Sequence, residues 1–137
     1  MSKLSIGYPP DMLSPEKFGQ GVDIVEIDRI GNLVDKWGSR FTNRIYTSHE
    51  LAKCRGNSAS LAARFAAKEA IVKAIGTGLR GMAWKDIEIL NDQNGRPYFA
   101  LHDRAAFAFN KSGWKSCTLS LTHSAGIAVA MVTVLKF

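Results

Sequence analysis

The stretch Leu61–Gly78, LAARFAAKEAIVKAIGTG, constrains this chain more than any other. Ala, Leu, Arg, Lys and Glu dominate it, and all favour a helix. Gly76-Thr77-Gly78 ends it, because glycine takes the left-handed conformation that closes a helix C-terminus without a Cβ clash. At about 100° per residue, Leu61, Phe65, Val72 and Ile75 form one apolar stripe with Lys68 in its middle. Glu69 and Lys73 run along an edge of that stripe, beside the small residues Ala62 and Ala66. A lysine among apolar residues, next to a carboxylate with little bulk around it, is more than packing requires. The small alanines are expected to leave room for a ligand or a neighbouring subunit.

The rest of the chain supplies a frame for this helix. A length of 137 residues suits one domain with one core. Residues 1–20 carry Tyr8-Pro9-Pro10 and Ser14-Pro15, which block regular structure, and read as an extended or partly disordered extension. The domain proper is expected over residues 21–137. Gly21–Glu26 alternates as a strand, with Asp23 on the face opposite Val22 and Ile24. Ile30, Leu33, Val34 and Trp37 have helical spacing, closed by Gly38. Thr47-Ser48-His49-Glu50 fits a capping box that opens a short helix. Asp86–Leu90 and Arg96–Leu101 flank Asn94-Gly95, a type I′ hairpin signal. Asp103 is placed to cap an Ala-rich helix that runs to about Lys111. Cys117, Leu119 and Leu121 alternate with polar residues as a strand, and Thr122–Gly126 reads as a polar turn. Ile127–Leu135, nearly all apolar, reads as a central strand buried on both faces. The sum is an α+β domain, a mostly antiparallel sheet packed against a long central helix.

Composition narrows the function classes. No apolar run approaches the roughly 20 residues needed to span a bilayer, and the N-terminus has no apolar core of a secretion signal. Cys54 and Cys117 are too few for a disulfide framework and lack metal-ligand spacing, so both read as thiols of a reducing cytosol. A cytoplasmic location follows as an expectation. The net charge of +6 suggests an acidic partner, and nucleic acid, an anionic membrane and an acidic protein all satisfy it. No GxxxxGK[ST] loop is present, nor a GxSxG elbow or an RNP-like strand.

Asp23 and Glu69 are the residues with the most chemistry. Hard oxygen ligands without a Cys/His cluster suit Mg²⁺, which takes one or two carboxylates plus substrate phosphates. The plainer alternative pairs Glu69 with Lys73 at i, i+4, worth about 0.2–0.5 kcal/mol. Lys68 suits either a phosphate contact or a snorkelling side chain with its ammonium in water. His123 is either a ligand-binding or an exposed turn residue.

Three ordered stretches reduce these alternatives: Gly21–Ile30, GVDIVEIDRI; Arg64–Ala74, RFAAKEAIVKA; and Leu119–Ser124, LSLTHS. Together the GxD, FxxKEAxxKA and SxTH patterns resemble the 4′-phosphopantetheinyl transferases, most closely their small bacterial type. The likeness covers about residues 20–137, and Asp86–Pro97 shares it. It implies the phosphopantetheinyl transferase fold and transfer of the arm of coenzyme A, the co-substrate, to a serine of apo acyl carrier protein, releasing 3′,5′-ADP in fatty acid biosynthesis. The resemblance makes Asp23, Glu69 and Lys73 the catalytic set. Asp23 and Glu69 would hold Mg²⁺, and Glu69 or a metal-bound water beside it would take the serine proton. Lys73, Lys68 and Arg64 would meet phosphate charge, with His123 and Ser124 near the coenzyme A nucleotide. Arg29, Arg40 and Arg44 would dock the acidic carrier protein. A homotrimer with active sites between subunits is expected, with neither nucleic acid nor membrane as partner.

Overall fold

The computed structural model describes residues 17–76, 78 and 81–137. Most of the N-terminal extension and Thr77 of the helix stop therefore lie outside the described residues. The elements follow in the order β1 (Phe18–Glu26), α1 (Ile27–Trp37), α2 (Ser39–Ile45), α3 (Ser48–Cys54), α4 (Ser58–Ile75), a 3₁₀ turn (Trp84–Asp86), β2 (Ile87–Asn91), β3 (Pro97–Leu101), α5 (Asp103–Lys111), β4 (Ser116–Ser124) and β5 (Ile127–Leu135). Strand β1 begins at Phe18, so the ordered domain takes in three residues that the proline pattern assigns to the extension. All pairings are antiparallel, in a three-stranded sheet of order β1-β5-β4 and a separate hairpin β2-β3. Among the described residues, no helix is long and apolar enough to cross a membrane.

Helix α4 crosses the inner face of the larger sheet and contacts β1 and β5 most heavily. Two glycines of β1 permit this. A Cβ on Gly21 would overlap the Ala70 carbonyl oxygen, and one on Gly19 would sit 2.7 Å from the Ala74 carbonyl oxygen. On the helix side Ala66 and Ala70 are fully buried, and Ala128 and Ala130 answer them from β5. Small residues on both surfaces bring the two backbones together. Ala62 and Ala66 thus belong to the core and leave no space for a ligand, contrary to expectation. The stripe reading of α4 also fails. From Leu61 to Lys68 every residue is buried, because the sheet covers one side while α1, α3 and β2 cover the others.

Strand β5 is central, as its apolar sequence predicts, but it is buried on one face only. Ala128, Ala130, Val132 and Val134 are fully buried, whereas Met131 is 51% exposed. Val22 and Ile24 point the same way as Met131, and they are 54% and 62% exposed. The reason is the layering: among the described residues a helix covers the inner face of this sheet and no second layer covers the outer one.

Turns account for the remaining differences. Only Gly95 of the Asn94-Gly95 pair has a positive φ, 83°, so the β2-β3 loop is not a type I′ turn. It closes instead through Gly95 N–H on the Asp92 carbonyl at 2.9 Å, with the Asp92 carboxylate accepting from Asn94 N–H and Arg96 N–H. The hairpin turn with both φ positive joins β4 to β5 at Ala125-Gly126 (51° and 81°). His123 and Ser124 therefore belong to β4 and not to a turn. Asp103 does not cap α5; His102 holds the cap position, without a side-chain bond. Helix α2 was unforeseen.

The close β1–α4 contact predicts that Gly21→Ala costs about 3 kcal/mol of unfolding free energy, the upper range for overpacking. Urea denaturation of the variant against the parent measures it.

Candidate active site

Asp23 reaches α4 because of the strand's period. Gly21 lies against the helix backbone, and two residues on Asp23 occupies the same inner face, paired in register with buried Ala130. Its side chain is 11% exposed. Lys73 crosses from α4 to meet it, with Nζ donating to Asp23 Oδ1 at 2.8 Å and to the Val22 carbonyl at 3.1 Å. The hydrogen bond to Asp23 holds the Lys73 ammonium above its usual pKa.

Glu69 stands one helical turn before Lys73, half-buried. Lys73 donates to Asp23 rather than to Glu69, and among the described residues Glu69 has no ion pair. Burial, and after it the charge of Asp23, push its carboxyl above the usual range; Lys73 and Arg29 pull the other way. Arg29 of α1 therefore faces this cluster. Two adjacent carboxylates whose mutual repulsion raises one of them form a donor set that a hard dication would relieve. Among the described residues no group of three or more His, Cys, Asp or Glu could hold a metal, so a cation here would need further oxygens from water, from a ligand or from both. That donor set fits Mg²⁺ on a phosphorylated substrate.

The other candidates separate from this cluster. Register puts His123 opposite Ala128, on the inner face shared with Asp23 but on the far strand of the sheet, where it is exposed. Ser124 pairs with Ile127 and so points to the outer face. Arg64 is buried on α4, donating to the Ser60 carbonyl (3.3 Å) and to Asn91 Oδ1 (3.2 Å). Its Nε is buried without a partner among the described residues. It lines a cleft of about 490 Å³ with Asn91, Arg96, Pro97, Thr118 and Ser120, beside β4. The acid pair lies at the β1 edge of the sheet and this cationic cleft at the β4 edge.

Lys68 is corrected. Its side chain is 0% exposed, and Nζ donates to Glu50 Oε1 (2.8 Å), the Trp84 carbonyl (3.1 Å) and the Ile87 carbonyl (2.6 Å). All three donors of the ammonium are used inside the core, so neither a phosphate contact nor snorkelling remains open to it. Burial lowers its pKa, and the Glu50 charge opposes that shift. Glu50 was legible as the capping-box residue, and it fills that role, but nothing in the spacing reveals it as the partner of Lys68. Glu88 was missed too. It sits in strand alternation yet is buried, and it accepts from Thr47 Oγ1 at 2.6 Å and meets His102 Nε2 at 3.1 Å.

Arg40 and Arg44 are brought together by α2. With Leu33, Trp37 and Phe41 they line a cavity of about 420 Å³, an apolar floor with a cationic rim. Arg29 lies apart from that lining, toward Glu69.

Comparison with known proteins converges on these features. A family model for the 4′-phosphopantetheinyl transferase superfamily matches residues 19–131. Holo-[acyl-carrier-protein] synthase of Herpetosiphon aurantiacus is 45% identical over 119 residues, covering 82% of this chain and 94% of its own. That of Geobacter sp. strain M21 is 46% identical over 121 residues, covering 85% and 97%. Among solved structures, the Helicobacter pylori holo-[acyl-carrier-protein] synthase in complex with coenzyme A superposes with a TM-score of 0.77 at 32% identity, covering 84% of this chain and 98% of that one. The Neisseria meningitidis synthase gives 0.78 at 36%, covering 85% and 96%. With its GxD strand set against the KEA helix and the match running through both, the chain belongs to the 4′-phosphopantetheinyl transferase superfamily, among the holo-[acyl-carrier-protein] synthases.

Proposed function

We propose that this chain transfers the 4′-phosphopantetheine arm of coenzyme A to a serine of apo acyl carrier protein, with Mg²⁺, releasing 3′,5′-ADP for fatty acid biosynthesis in the cytoplasm. The observation that carries this reading is the cluster of Asp23, Glu69 and Lys73, two carboxylates and a lysine where β1 meets α4. Asp23 and Glu69 would hold Mg²⁺, which supplies charge neutralisation at the pyrophosphate.

The chain's own residues do the rest. Lys73 exchanges its bond to Asp23 for a phosphate oxygen, whose negative charge keeps the exposed ammonium protonated. Glu69, the half-buried carboxylate of the cluster, or a water beside it would take the serine proton. The serine oxygen then attacks the β-phosphorus, and the bond to 3′,5′-ADP breaks with its oxygen as leaving group. Arg64 and His123 would meet the nucleotide phosphates from the β4 side, with Ser124 nearby. The separation of the acid pair from that cleft supports a site completed between subunits. The exposed apolar face of Val22, Ile24 and Met131 supports the homotrimer. The groove of Arg40 and Arg44, with Arg29 on the same α1 as part of its lining, suits an acidic helix carrying the target serine.

Mass spectrometry of apo acyl carrier protein incubated with this chain, coenzyme A and Mg²⁺ tests the reading. A gain of about 340 Da is expected from the phosphoryl transfer, and Asp23→Ala should abolish it with the fold intact. Release of ADP without carrier protein would point to a phosphohydrolase instead.

Two further outcomes follow from the electrostatics. Arg29→Glu is expected to raise KM for acyl carrier protein several-fold more than KM for coenzyme A, and the effect shrinks in high salt. Equal effects on both substrates would speak against docking. For Glu69, a carboxyl raised in the fold means that its ionisation costs stability. The cost is absent below the usual carboxylate range and complete above the raised value. Glu69→Gln should therefore melt above wild type near pH 7 without metal ion, with the gap closing below about pH 4.

A further inference from the structure

Lys68 and Glu69 are consecutive on α4, so their side chains leave the helix about 100° apart. One enters the core while the other faces Asp23. The three acceptors of Lys68 Nζ come from α3, the 3₁₀ turn and the start of β2. None of these elements contributes to the Asp23 cluster. Glu50 is itself held, its Oε1 accepting from Thr47 N–H at 2.9 Å and its Oε2 from Ile89 N–H at 3.0 Å. Lys68 and Glu50 are among the largest fully buried side chains of the chain, at 0% and 1% exposed.

The apolar packing of α4, from Leu61, Phe65, Ile71 and Ile75 as well as its alanines, is not directional. Ala62, Ala63, Ala66, Ala67, Ala70 and Ala74 are all buried, and a row of methyl groups offers no deep ridges to interlock. Charge-assisted hydrogen bonds in a buried site are directional and strong. A buried ion pair is poor evidence for stability, and its best-attested use is to select one arrangement. The lever is short: about 10° of helix rotation moves a carboxylate some 6 Å from the axis by roughly 1 Å, a misplacement that can cost a hundredfold in rate.

We propose that Lys68 and Glu50 are positioning residues for the transfer, their buried bond fixing the rotation of α4 and thereby the place of Glu69 beside Asp23. The proposal rests on the reading of Asp23 and Glu69 as the cation-holding pair. Neither Lys68 nor Glu50 touches substrate; both act through the helix backbone.

Mn²⁺ binding followed by electron paramagnetic resonance, without coenzyme A or carrier protein and well below each melting temperature, tests it. Wild type, Asp23→Ala, Glu50→Gln and the double variant Glu50→Gln/Lys68→Met are compared, the last replacing both charges by neutral groups of similar volume. Wild type binds and Asp23→Ala does not. The double variant binds roughly tenfold more weakly, as loss of a supporting partner does, and Glu50→Gln falls between. A merely structural role would lower the melting temperature and leave Mn²⁺ affinity unchanged. Wild-type affinity in the folded double variant overturns the proposal. Should that variant not fold, wild-type affinity in Glu50→Gln, which keeps the shape of the side chain, does the same. Mn²⁺ binding that survives in Asp23→Ala overturns the cation reading, and the proposal with it.

Discussion

The backbone contact between β1 and α4 is the constraint on which the rest of this structure depends. It exists because Gly19 and Gly21 lack a Cβ and because α4 presents alanines. Once strand and helix touch, the period of the strand delivers Asp23 to the same face, and Lys73 can cross to it. A bulkier residue at Gly21 would part the two elements and with them the acid pair. Packing and site are one problem in this fold, solved by the same small residues.

The cluster that results is not arranged for stability. Glu69 carries its charge beside Asp23 with burial against it, and a lysine that could have neutralised it bonds to Asp23. Deeper in, Lys68 and Glu50 are taken out of water altogether, at a desolvation cost that a leucine and a methionine would not incur. Adjacent positions on α4 thus hold one charge fully satisfied and one left in need of a partner. The satisfied one gives the helix a fixed setting, and the other is available for chemistry.

The outer face of the three-stranded sheet tells a similar story of incompleteness. Among the described residues, Val22, Ile24 and Met131 form an exposed apolar surface, and the cationic cleft of Arg64 lies across the sheet from the carboxylates. The outer face is where more protein would be accommodated.

The sequence by itself determined most of the elements, α2 excepted, and brought out Asp23 and Glu69 together. The glycine stop of α4, the capping box at Thr47 and the alternation of β1 are local signals, and each was legible because turn and helix-end chemistry acts over a few residues. The ordered GxD and KEA patterns pointed to Asp23 and Glu69 together. Tertiary structure alone decided which way each face turned. On the apolar stripe Lys68 suited either a phosphate contact or a snorkelling side chain, but the partner that claims it, Glu50, lies on another helix, and no spacing along α4 encodes a contact between elements. Ala62 and Ala66 looked like open space and proved to be the floor of the core. Periodicity tells how residues share a face; only the packing of one element on another tells what that face meets.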